Sequence, residues 1–170
     1  MRDDTAHDNA SVSRIVMEYL LVKFLHVVSS TLLFGTGLGS AFYMFFTNRS
    51  RDVRAIAIVA RRVVWADWLF TTPTAIIQPA TGLYMVHLAG IPYSTSWIAW
   101  SLALYVFAGA CWLPVVWIQI RMAEMAERAV KEGTELPPRF WRYHLIWTSL
   151  GFPAFFAFIA IFYLMVAKPA

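Results

Sequence analysis

Three stretches of this chain carry no Asp, Glu, Lys or Arg: Phe24–Phe46, Trp68–Ile120 and Leu145–Ala167. A helix needs roughly 20 apolar residues to cross the hydrocarbon core of a bilayer. The first and third stretches each fit one crossing. The middle stretch is too long for one and contains a turn signal, Ala89-Gly-Ile-Pro-Tyr-Ser-Thr-Ser96, so it reads as two. The pattern predicts an all-α integral membrane four-helix bundle with spans at about 17–46, 64–88, 97–121 and 143–167. Short connections make consecutive spans antiparallel neighbours, an up-down topology. Composition points the same way, because charged residues are 14% of the 170 against about 25% in soluble domains.

Where the charges do occur is a topology signal. Arg49, Arg51, Arg54, Arg61 and Arg62 separate spans one and two, and Arg121, Arg128, Lys131, Arg139 and Arg142 separate spans three and four. The Ala89–Ser96 turn has no basic residue. By the positive-inside rule both basic connections are cytoplasmic and both termini lie outside. The net charge of +4 is thereby accounted for, and it implies the lipid bilayer as partner and no nucleic acid. Residues 1–16 are polar and mixed in charge, without the apolar core of a signal peptide. They read as a disordered extracytoplasmic tail ahead of a transmembrane domain over 17–169. The run Met122-Ala-Glu-Met-Ala-Glu-Arg-Ala-Val-Lys131 extends span three into the cytoplasm as far as Gly133, and Pro137-Pro138 should prevent a restart. Cys111, the single cysteine, reads as a buried small residue.

A few polar residues inside the spans could carry chemistry. His26 lies about 13 Å below the outer edge of span one, at 1.5 Å per residue. An ionisable side chain at that depth marks a functional site by default, and imidazole is a common ligand of haem iron. The alternative is a histidine hydrogen-bonded to a neighbouring helix, for which Gln78, Thr81 and Tyr105 lie at the same depth. Lys23, one turn above, either snorkels to the surface beside Glu18 or meets a cofactor carboxylate. His87, near the outer end of span two, is either an interfacial histidine or a second metal ligand opposite His26. His144 begins span four at the other side and shares a site with neither. Gly35-Thr-Gly-Leu-Gly39 is not a phosphate loop, since it sits inside a span. Its small residues allow close approach of a neighbouring helix or, at Gly37, of a flat cofactor. Asp67 lies near Arg62 and Arg142 and reads as half of a structural ion pair. Pro73, Pro79, Pro114 and Pro153 each free a backbone carbonyl within a span.

Several of these stretches together resemble a known family. Tyr19-Leu-Leu-Val-Lys-Phe-Leu-His26, Leu33-Phe-Gly-Thr-Gly37, Ala66-Asp-Trp-Leu-Phe-Thr-Thr-Pro73, Gln78-Pro-Ala-Thr-Gly82 and Ile161-Phe-Tyr-Leu-Met-Val-Ala-Lys-Pro169 look like the predicted membrane proteins called domain of unknown function 2269. The likeness covers about residues 17–169 and implies the membrane architecture rather than an activity. More distantly, Lys23-Phe-Leu-His26 followed by a glycine, and the closing Lys168-Pro169, are similar to two four-helix bacterial membrane groups. One is the haem-carrying protoporphyrinogen oxidase, the other the membrane part of copper-resistance D proteins. That likeness implies a plasma (inner) membrane location and b-type haem at the first-span histidine, here His26. The oxidase's other signature residues have no match in spans two and three, so its reaction does not carry over.

Three functions follow as expectations. One is a b-type haem protein for redox chemistry or electron transfer, with His26 and His87 at the metal and Lys23 and Gly37 around the ring. In that case a homo-oligomer or a membrane redox partner would complete it. Another is a cofactor-free accessory or scaffold protein. The third is a transporter or metal-handling protein, against which the methionines are scattered and form no cluster along a span.

Overall fold

The computed structural model describes residues 3–169, and side-chain environments are described from Ser13 onward. All of its regular structure is helical: α1 Asp3–Ser50, α2 Val53–Ala66, a π-helical turn Asp67–Thr71, α3 Thr72–Leu88, α4 Ser96–Glu132 and α5 Pro138–Ala167. α2, the π turn and α3 follow one another without a break, so the molecule has four rods running up and down. Three of the helices are long and apolar enough to cross a membrane, α1 over its Ser13–Ser50 part, α4 and α5. The fourth rod is the interrupted one.

The rod ends lie elsewhere than hydropathy placed them. The segment expected to be a disordered tail is helical from Asp3, and nothing in its sequence breaks a helix, since neither Gly nor Pro occurs before Gly35. The connection between the first two rods is only Arg51-Asp52. Arg51 takes the left-handed conformation at φ 58°. Asp52 caps α2 by accepting from the backbone N–H of Arg54 (2.9 Å) and Ala55 (3.2 Å). What charge made look like a loop is an amphipathic helix. Ile56, Ala57, Ala60, Val63 and Val64 are its buried face, spaced as a helix stripe requires, while its arginines point elsewhere.

α4 continues past its span and stops at Gly133, as expected. That glycine adopts φ +65°, and Thr134 N–H reaches back to the Ala129 carbonyl at 3.0 Å, a Schellman closure. Pro137-Pro138 does not prevent a restart. Pro138 is the first residue of α5, where its missing N–H costs nothing and its fixed φ suits the helix.

The basic end of the bundle is closely packed. Met44, Ile56, Met122 and Phe140 are fully buried there, and Ala60, Ala123 and Ala126 let α2 and α4 approach. Arg61 of α2 donates to both carboxylate oxygens of Glu127 on α4. Arg61 holds that carboxyl below its ordinary range, chiefly through the hydrogen bond. Beyond this end the rods diverge: α3 leans on α1, and α5 stays on α4.

Candidate functional site

The space between the two diverging pairs is a cavity of about 700 Å³. All four rods line it, and its walls are apolar. Phe34 packs against Phe155 and Phe158, with centroids 5.7 and 6.3 Å apart, and Tyr105 meets Phe158 edge-on. These rings form its upper end. Glycines enlarge it: at Gly37, Gly109 and Gly151, all lining residues, an added Cβ would meet nothing within 4 Å. The expected close helix contact at Gly37 is therefore absent, and so are those at Gly35 and Gly39. The stripe leaves room instead of filling it.

Prolines and the π turn shape the second rod. Pro79 cannot bond to the Ala75 carbonyl, and the Tyr105 hydroxyl donates to that oxygen at 2.6 Å. Pro73 likewise leaves Leu69 without its helical partner, directly after a turn in which Thr72 N–H bonds back to Asp67 O. The extra residue of a π turn re-aims the side chains around it.

One of these is Asp67, only 4% exposed and part of the cavity lining. Its Oδ1 accepts from the Thr71 hydroxyl at 2.9 Å. With the Gln119 amide in the orientation that satisfies its neighbours, its nitrogen donates to Asp67 Oδ2 at 2.6 Å and its oxygen accepts from Trp147 Nε1 at 3.2 Å. The expected ion pair with Arg62 or Arg142 does not form: no basic side chain is within salt-bridge distance among the described residues. Arg62 lines a separate groove with Gly35, Gly39 and Tyr43, and Arg142 is exposed. The cavity thus has aromatic walls and one buried carboxyl at its lower end.

His26 belongs to another cluster, roughly 16 Å higher if the eleven residues from Asp67 to Gln78 rise 1.5 Å each. Its Nδ1 donates to Thr81 Oγ1 at 2.9 Å, and its Nε2 accepts from the Gln78 amide at 3.1 Å. Ser29 donates in turn to Gln78 Oε1, and Thr81 to the Ile77 carbonyl. Each donor has an acceptor, which is how buried polar groups are kept. Gly82 lets the ring approach α3, where an added Cβ would stand 3.0 Å from His26 Cε1.

Of the four residues predicted to hold haem, Gly37 stands apart from His26. Gly37 lines the cavity while His26 does not. Lys23 is exposed, and its expected partner Glu18 accepts from the Tyr84 hydroxyl. His87 is exposed and stacks on Tyr84 with centroids 6.5 Å apart. In this arrangement both His26 nitrogens are engaged, so the imidazole could hold haem iron only if Gln78 or Thr81 let one of them go.

The sequence signature of predicted integral membrane proteins called DUF2269 matches residues 20–169. The chain belongs to this family. No curated protein and no solved structure matches it. In this DUF2269 member, Asp67 reads from the sequence as an ion-pair residue and Gln119 carries no signal of its own, although an acid inside a span is itself a mark of a site. Nearby arginines offered it an ion pair, and Gln119 gains meaning only once α4 faces the π turn. His144 has partners of its own, away from those of His26 and His87. Asn48, 1% exposed, donates to its Nδ1 at 3.1 Å, and Trp147 stacks on its ring.

Proposed function

We propose that this protein binds an apolar small molecule dissolved in the bilayer, held in the cavity with its polar group at Asp67 and Gln119. The supporting observation is the cavity itself: about 700 Å³ falls within the roughly 300–1,000 Å³ of small-molecule sites. Such sites are mostly apolar with a few convergent polar groups. Leu38, Ile76, Leu113 and Phe152 both line the cavity and are exposed at the surface, which supports entry sideways from lipid. The charge pattern supports a plasma-membrane topology with the basic end in the cytoplasm and both termini outside.

Triphenylmethanol, a neutral aromatic molecule whose hydroxyl can donate to Asp67 and accept from Gln119, is a suitable probe. In equilibrium dialysis against detergent-solubilised protein, with micelle partitioning subtracted, the wild type should bind it saturably. Gly109→Phe together with Gly151→Phe should abolish binding while leaving the elution volume unchanged. Equal binding by the filled variant overturns the reading.

A b-type haem protein for redox chemistry or electron transfer, working with a second copy or a membrane redox partner, is the second reading. Its support is the depth of His26 and the distant likeness. It requires Gln78 or Thr81 to release a ring nitrogen. Under it, purified protein shows a Soret band that His26→Ala removes; a colourless preparation from haem-replete cells ends it.

A further inference from the structure

The two ends of the cavity differ in what they ask of a ligand. The walls offer rings and aliphatic carbon. Among the described residues, the lower end offers a carboxyl whose oxygens meet only neutral donors, the Thr71 hydroxyl and the Gln119 amide. Arg61, the nearest cation along the chain that is paired, is committed to Glu127, and Arg62 and Arg142 lie elsewhere. Burying a carboxylate without a countercharge is costly, and removing one member of a buried pair leaves the other strongly destabilised. A site built this way favours a ligand that brings the missing charge. The same cavity holds Tyr105, Trp112 and Trp147, and aromatic faces attract cations, tryptophan most strongly.

We propose that the cavity selects a lipophilic cation, an aromatic or aliphatic amine or onium ion, whose charge pairs with the Asp67 carboxylate while its apolar body fills the space between the rods. This rests on the cavity being a ligand site, and it adds the chemical class that the site takes. Burial of both the aspartate and its two donors sets it apart from a surface acid that any counterion satisfies. The ligand's bulk also matters, because an inorganic cation would leave the aromatic walls unfilled.

Tetraphenylphosphonium and tetraphenylborate have nearly the same shape and opposite charge, so they test the proposal on the wild type without mutation. Equilibrium dialysis should show the phosphonium bound about tenfold or more tightly than the borate, a difference of about 1.4 kcal/mol. Asp67→Asn, which keeps the shape and can still bond Thr71, should lose that preference. Its elution profile should be kept, which shows that it folds. If the wild type binds both ions equally, or Asp67→Asn keeps the preference, the cation proposal is overturned while neutral-probe binding leaves the cavity reading standing. If none of the three probes binds, both fall.

Discussion

The basic end and the middle of this molecule are built from the same four rods and solve opposite problems. At the basic end, alanines face alanines and Met44, Ile56, Met122 and Phe140 leave no space between them. In the middle, glycines face a void and large apolar side chains such as Ile76, Leu113 and Phe152 turn outward. The difference follows from the solvent each region meets. Arginines at the basic end imply water, which drives apolar surface inward. Lipid tails are as apolar as leucine, so mid-span helices gain little from hiding such surface and are held by dispersion and hydrogen bonds instead. A cavity is therefore tolerated in the middle and would be costly at the end. Polar contacts show the same division: Arg61–Glu127 and Asn48–His144 tie rods together at the packed end, while the Asp67 cluster and the His26 cluster bracket the hollow part.

The largest effect should come from Phe140→Ala. It removes a fully buried ring from the packed end and should cost about 3–5 kcal/mol, read as the shift in a chemical unfolding curve in detergent. Phe155→Ala, which loses a ring beside the cavity, should cost clearly less. Equal losses would break the comparison. Next in size, His144→Ala leaves the Asn48 amide buried without its partner and should cost about 1–3 kcal/mol; a neutral result would mean that this polar pair is not holding α1 to α5.

Glycines sharpen the contrast within the span. Gly82→Ala presses on a His26 ring that two hydrogen bonds hold in place, and should destabilise by about 1 kcal/mol or more. Gly37→Ala meets open space and should stabilise by up to about 1 kcal/mol, the helix-propensity gain. Thermal unfolding of the two variants side by side decides; a reversed order would show that the stripe packs after all. The smallest change is expected from Glu127→Gln, under about 1 kcal/mol because the pair is partly exposed. Since Arg61 depresses the Glu127 carboxyl from 4.5, its contribution is fully present above that pH and lost as pH falls through the depressed value. The gap between wild type and variant should therefore be open at pH 7 and close in acid. A gap that widens in acid would reverse the assignment.

Sequence alone determined that this chain is an all-α membrane protein of four rods, that the second and third join through the Ala89–Ser96 turn and that α4 runs on to Gly133. These follow from hydropathy, charge and backbone preference, which are properties of single segments. It also pointed to His26 and to the partners Gln78 and Thr81, because depth along a span can be counted in residues. It misjudged α2, since charge there concealed a helical stripe, and Asp67, since nearness in sequence to Arg62 says nothing of which way a helix is turned. Only the tertiary structure decided that the glycines border a cavity, that Asp67 meets Gln119 and Trp147 rather than an arginine, and that His26 and Gly37 belong to different places. Each of those depends on how helices rotate and diverge about one another, and that is set by contacts between rods rather than within any one of them.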